Sequence, residues 1–70
     1  MLIRVHDPDL VTDLRDHLRM VRCIAAKVGP DLLRVTVPDA PTDAQEAREV
    51  RAYLATWTAA RGVDAEVLEG

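Results

Sequence analysis

The chain has 70 residues and a net charge of −3, with 49% hydrophobic and 30% charged residues. This length allows one hydrophobic core, so we expect a single globular domain over residues 1–70. The acidic balance argues against nucleic-acid binding. Since no apolar run approaches the roughly 20 residues of a membrane-spanning helix, we expect a cytoplasmic protein with neither nucleic acid nor membrane as partner.

Rare residue types limit the chemistry open to the chain. It contains no serine, which excludes a serine nucleophile within these residues, and Cys23 is its single cysteine, so no disulfide can form within the chain. A core this small is marginally stable without a metal, a disulfide or a partner subunit. We therefore expect self-association to supply part of the stability.

The first elements in chain order are a strand and a helix. Apolar and polar residues alternate from Leu2 to His6, which is typical of a half-buried strand. Asp7 and Pro8 have the residue types of an N-cap and a first helical position, so a helix is predicted from Pro8. Its apolar stripe consists of Leu10, Val11, Leu14, Leu18 and Val21.

A β-hairpin is predicted next. The second strand lies within Arg22 to Val28, the tripeptide Gly29-Pro30-Asp31 is typical of a turn, and Leu32 to Val37 alternates as a third strand. Whether the second strand points Cys23, Ala25 and Lys27 or Ile24, Ala26 and Val28 away from the core is open, and we favour the first set because it contains the lysine.

The second half of the chain predicts another helix and a last strand. Thr42 and Gln45 have the spacing of a capping box, and Gly62 suits a left-handed C-cap. The stripe of this helix consists of Ala47, Val50, Leu54 and Trp57, with Tyr53 on its flank. Alternation from Val63 to Leu68 indicates the fourth strand.

The order βαββαβ predicts an α+β fold of the ferredoxin-like sandwich type. Right-handed crossovers and a directly paired hairpin give an antiparallel four-stranded sheet in the order 4-1-3-2, with both helices on one face. Arg4 is expected beside Asp64 and Glu66 in this arrangement. The residues expected on the uncovered face form the candidate interface: Leu2, Arg4, His6, Leu32, Arg34, Thr36, Asp64, Glu66 and Leu68.

No catalytic or metal site is indicated. Asp13 and His17 have the i, i+4 spacing that can place two ligands side by side, but zinc usually takes at least three protein ligands. No pattern places a histidine beside Cys23, and free cysteines are more often buried apolar residues than nucleophiles, so thiol catalysis is disfavoured, while whether Cys23 is buried or reactive stays open. We therefore expect no cofactor, no metal and no enzymatic activity.

Other charged pairs and rows have structural explanations. The pairs Asp13 with Asp16 and Asp43 with Glu46 are expected to be helix caps and solvated charges. The row of Arg15, Arg19 and Arg22 complements the negative end of the first helix.

The stretch Asp7-Pro8-Asp9-Leu10 leading into Leu14 and Leu18 resembles the start of ACT-type regulatory domains. That resemblance implies a small-molecule site at the first strand-to-helix turn, with His6, Asp7 and Asp9 as candidate ligand-binding residues. Those domains typically have glycine after the proline, whereas this chain has Asp9, whose charge weakens anion binding at a helix start.

Two functions follow as expectations. The first is a non-catalytic interaction module that homodimerises, or docks another protein, through the open sheet face or an edge strand. The second is an ACT-like regulatory module that binds a small molecule at the turn of His6, Asp7 and Asp9.

Overall fold

The chain alternates strands and helices in the order βαββαβ. The computed structural model describes residues 1–69, apart from the side chain of residue 69. The elements in that range are β1 (Leu2–Val5), α1 (Val11–Met20), β2 (Ile24–Gly29), β3 (Leu32–Thr36), α2 (Asp43–Arg61) and β4 (Ala65–Glu69), with a short 3-10 turn at Pro8–Leu10 before α1. The predicted α+β class is confirmed.

The strands form one antiparallel sheet in the order β2-β3-β1-β4. Read from its other edge, this is the order 4-1-3-2, with β1 and β3 in the centre. Ile3 of β1 lies opposite Leu33 of β3 on one side and Val67 of β4 on the other. A row of apolar side chains therefore crosses three neighbouring strands.

Both helices pack on one face of the sheet. Alternate residues of the central strands, Ile3, Val5, Leu33 and Val35, are fully buried, while Arg4, Arg34 and Thr36 between them are exposed. The helices complete the core with Val11, Leu14, Leu18, Val50, Leu54 and Trp57. Because both helices lie on the core side, no element among residues 1–69 covers the opposite face of the sheet.

The second strand corrects the sequence-based prediction. Cys23 and Ala25 are buried, whereas Ile24, Ala26 and Val28 are exposed on the open face, so the favoured assignment was wrong. Lys27 has core-facing parity, since it lies opposite buried Leu33, yet it is exposed. An edge position lets its long side chain reach water, and a register shift between Lys27 and Gly29 leaves Val28 without a paired residue on β3.

The helix starts largely follow the capping signals. The Asp7 carboxylate accepts a hydrogen bond from Asp9 N at 3.0 Å, but the first turn is 3-10 and the α-helix begins at Val11 rather than Pro8. Such turns are frequent at helix termini. At α2, Thr42 Oγ1 accepts from Gln45 N at 3.1 Å, as predicted.

Both helices end on a residue in the left-handed region. Gly62 has φ 68° after α2, as the sequence predicts, whereas the equivalent residue after α1 is Arg22, also at φ 68°. Cys23 N donates to Leu18 O at 2.9 Å and Arg22 N to Arg19 O at 3.1 Å, which is the hydrogen-bond pattern of a Schellman motif. A side chain at this position strains the backbone.

These two helix ends give a matched pair of stability predictions. Arg22→Gly should raise the free energy of unfolding by about 0.5–1 kcal/mol, because glycine adopts this conformation without strain. Gly62→Ala should lower it by about 1 kcal/mol, and since no described atom lies within 4 Å of the added Cβ, the cost is that of the backbone alone. Urea denaturation of both variants measures the effects, and changes of the same sign would contradict this account.

Candidate interaction surface

The open face is more apolar than the sequence indicates. Ile24 is 60% exposed, Val28 48% and Leu68 43%, while Leu2 and Leu32 are half-buried. Large apolar side chains from both edge strands thus meet water on the same face. Because β2 turns its apolar residues outward, this face gains two large side chains that the favoured prediction had placed in the core.

Charged side chains lie in rows between these apolar residues. The register aligns Arg34 with Ala26 on one side and Leu2 on the other. The neighbouring row places Arg4 between Leu32 and Glu66. Cationic groups therefore occupy the centre of the face, flanked by apolar side chains toward β2.

The ion pairs of the open face differ from the expected ones. Arg4 lies opposite Glu66 in register, but its Nε pairs with Asp31 Oδ2 at 3.3 Å, and His6 Nε2 lies 3.9 Å from Glu66 Oε1. Asp64 precedes β4, and its carbonyl accepts a hydrogen bond from His6 N at 3.0 Å. Arg4 therefore forms its ion pair with a carboxylate of the β2–β3 turn, and not with Asp64 or Glu66 as predicted.

The remaining candidate interface residues lie where the prediction placed them. Arg34 and Thr36 on β3 are exposed on the open face, and His6 and Asp64 are exposed at its rim, just beyond β1 and just before β4. The nine predicted residues thus form one surface, although Leu2 and Leu32 are only partly accessible.

The guanidinium of Arg19 lies at the β2 edge of the sheet. Arg19 of α1 donates from Nη2 to the carbonyl oxygen of Ala25 at 3.1 Å. Charged groups at sheet edges oppose the addition of a further strand. The sheet face is therefore better suited to association than the β2 edge.

The first strand-to-helix turn brings together His6, Asp7 and Asp9. The Asp9 amide that could contact a ligand donates instead to the Asp7 carboxylate. His6 and Asp9 are exposed and Asp7 is half-buried. Small-molecule binding at this turn stays a prediction, and the local hydrogen bond and the two carboxylates disfavour an anionic ligand there.

A hydrogen-bond network that the sequence did not predict joins the two helices. Asp13 Oδ2 accepts from Trp57 Nε1 at 2.8 Å and from Arg61 Nε at 2.9 Å, and Asp13 Oδ1 accepts from Arg61 Nη2 at 3.2 Å. The Trp57 hydrogen bond, aided by the charge of Arg61, holds the pKa of Asp13 below its usual value although desolvation opposes the shift. Asp13 therefore serves as a helix-to-helix link.

This network predicts a pH-dependent contribution to stability. Because the pKa of Asp13 is lowered on folding, its carboxylate stabilises the fold above the unfolded pKa of about 3.9, and that stabilisation is lost as pH falls through the folded value. With Asp13 37% exposed, Asp13→Asn should cost about 0.5–1 kcal/mol at neutral pH. The difference in the free energy of unfolding between Asp13→Asn and the parent should shrink below about pH 4.

The matched control is Asp16→Asn on the same helix. Among the described side chains, Asp16 forms an ion pair with the neighbouring Arg15 alone, at 3.3 Å, and it is well exposed, so its loss should change stability little. Thermal unfolding across acidic and neutral pH measures both variants. A pH-independent penalty for Asp13→Asn would show that the lowered pKa does not contribute.

Cys23 is buried in the core, directly after α1. Desolvation, followed by the charges of Glu49 and Glu46, raises the pKa of its thiol, which reduces its fraction of thiolate. The part of the chain that the structure describes contains no group of three or more histidine, cysteine or acidic side chains arranged to hold a metal ion.

A groove of about 400 Å³ separates α2 from β4. It lies on the helix-covered side of the sheet, away from the open face. Its lining comprises Arg51, Leu54, Ala55, Thr58, Ala65 and Val67.

Neither helix between residues 1 and 69 has both the length and the apolar character needed to cross a bilayer. Comparisons with protein-family models, with curated proteins and with solved structures found no match to this chain.

Proposed function

We propose that the chain is a non-catalytic, ferredoxin-like interaction module whose open sheet face binds a second copy of itself. The observation that carries this proposal is the exposure of Ile24, Val28 and Leu68 on a sheet face that no helix covers. Exposed apolar side chains on an uncovered face often mark interaction sites, and here they lie on both edge strands with Arg4 and Arg34 between them.

Charge favours a second copy over an unrelated partner. The face has both signs, with Arg4 and Arg34 near its centre and Glu66 toward one edge. In a two-fold dimer each surface must complement itself, so a residue of one copy meets a different residue of the other. We therefore expect a two-fold axis displaced from the centre of the face, so that Arg4 and Arg34 of one copy meet Glu66 of the other rather than each other.

The size of the face sets the expected affinity. Four strands spaced about 4.8 Å apart give a face about 19 Å wide, and five residues per strand extend it about 17 Å. This flat area, roughly 320 Å² per copy, is below the range for standard specific interfaces and is typical of weak or transient association. We therefore expect a reversible dimer with a dissociation constant in the micromolar range.

Face-to-face packing is favoured over edge pairing. Arg19 covers the Ala25 carbonyl on β2, and β4 has an acidic residue at Glu66. Packed sheets, by contrast, bury the inner-facing side chains of both layers in an aligned sandwich.

Sedimentation velocity from low micromolar to submillimolar concentration tests the proposal. We expect the weight-average mass to rise from that of a monomer toward that of a dimer. A mass that stays monomeric over the whole range would contradict self-association, and a fixed dimer at the lowest concentration would contradict the expected affinity.

A further inference from the structure

The backbone of β2 presents hydrogen-bonding groups at the free edge of the sheet. Val35 exchanges two hydrogen bonds with the first residue of the chain, so its backbone faces β1. Because backbone groups alternate in direction along a strand, the neighbouring Arg34 faces β2, where the register places Ala26 opposite it. By the same alternation, Ala25 and Lys27 direct their N–H and C=O groups outward. These are the groups that a further strand would bind.

Lys27 has the position of a residue that protects such an edge. It lies opposite buried Leu33, which gives it core-facing parity, yet its side chain is exposed. Inward-pointing charges, and lysines in particular, are a common means by which edge strands avoid pairing with another chain. A further strand beside β2 would bury the ammonium group at a high cost in solvation. Lys27 is therefore accommodated as long as β2 remains an edge.

Arg19 protects the same segment from the side of α1. Its Nη2 donates to the carbonyl oxygen of Ala25 at 3.1 Å, and this carbonyl is one of the outward groups. Neither Arg19 nor Lys27 has an ion-pair partner among the side chains that the structure describes. The edge of β2 therefore has two cationic groups that no described carboxylate neutralises.

We infer that the β2 edge is a strand-pairing site for a second copy of this chain, and that the charges of Arg19 and Lys27 hold it closed. In antiparallel two-fold pairing, Ala25 of one copy lies opposite Lys27 of the other, so the outward groups of both strands bind each other. A second copy suits this edge because the apolar side chains that β2 exposes would then lie beside their counterparts: Ile24, Ala26 and Val28.

The same register explains how the two cations keep the edge closed. Lys27 of one copy would meet the Ala25 carbonyl that Arg19 of the other copy already occupies. Like charges at neighbouring cross-strand positions are destabilising, and the two-fold axis repeats this conflict. Neutral side chains at both positions should therefore allow the strands to pair.

Amide hydrogen exchange of the double variant Arg19→Gln, Lys27→Gln tests this inference. At submillimolar concentration we expect exchange at Ala25 and at residue 27 to be about tenfold slower than at low micromolar concentration, because pairing engages these N–H groups. In the parent, exchange at both positions should not depend on concentration. Face-to-face packing leaves these N–H groups at the sheet edge, so the result does not depend on the proposed dimer.

Two control variants isolate the role of charge at the edge. Lys27→Arg keeps a cation there and should behave as the parent does. The double variant Arg48→Gln, Arg51→Gln removes two exposed cations from α2 and should also leave exchange in β2 unchanged.

The amide spectrum of each variant reports its fold directly. Lys27→Gln alone, which keeps the Arg19 hydrogen bond, should give a smaller slowing in the same direction. Exchange that stays independent of concentration in both Lys27→Gln and the edge double variant would overturn the inference. Equal slowing in either control variant would overturn it as well.

Discussion

Replacing Trp57 by alanine should lower the free energy of unfolding by about 3–5 kcal/mol, the largest stability effect we expect from a single substitution in this chain. Trp57, on the buried side of α2, is 2% exposed and packs into the core. Its removal leaves a cavity and also deprives Asp13 of a hydrogen-bond donor. Because small domains are stable by only several kcal/mol, most molecules of this variant should be unfolded or close to it.

Two further variants divide this effect into its parts. Trp57→Phe keeps most of the ring but removes the Nε1 donor, so it should cost about 1–2 kcal/mol. Tyr53→Ala, which truncates an aromatic residue at the flank of the same helix, should cost less than Trp57→Ala because Tyr53 is only partly buried. Urea denaturation followed by circular dichroism measures all three, and a Trp57→Ala cost below that of Tyr53→Ala would contradict the described core.

The second large effect concerns association. Ile24→Glu should weaken the dimer about 10- to 100-fold, because the substitution occurs twice at a two-fold interface and places two carboxylates in an apolar region. The folded monomer should be little affected, since Ile24 is 60% exposed.

Ala52→Glu is the matched control. Ala52 is exposed on α2, on the covered side of the sheet, and the variant adds the same single negative charge. Sedimentation equilibrium should give the parent dissociation constant for Ala52→Glu and a weaker one for Ile24→Glu. Equal weakening in both variants would indicate a general effect of net charge, and unchanged association in Ile24→Glu would exclude this face.

The elements with a clear period in the sequence were predicted well. In β1 and β3, an arginine stands between two buried apolar residues and marks the outer face, so the two faces of each strand could be assigned from parity. β2 lacks that contrast, because Ile24, Ala25 and Val28 are apolar on both parities and Lys27 suggested the wrong face. The sequence does not show which face of β2 is buried. The edge position of β2 settles this, because a core-facing lysine can still reach water there.

The candidate surface and the groove differ in how far sequence could predict them. The open face follows from strand alternation and the number of helices, both local properties.

The Asp13 to Trp57 hydrogen bond joins residues 44 positions apart, so it depends on how the helices pack. The one sequence signal was Trp57 itself, since a buried indole usually needs a hydrogen-bond acceptor. The groove likewise results from packing, because small residues on α2 and β4 mark it only after the two elements are paired.

In the proposed dimer, two copies meet through the sheet face that the helices leave bare. Isotope-filtered nuclear Overhauser spectroscopy on a mixture of labelled and unlabelled protein at submillimolar concentration tests it most directly. We predict intermolecular cross-peaks from the methyl groups of Ile24, Val28 and Leu68. Intermolecular cross-peaks confined to α1 or α2, with none from these three residues, would contradict the account.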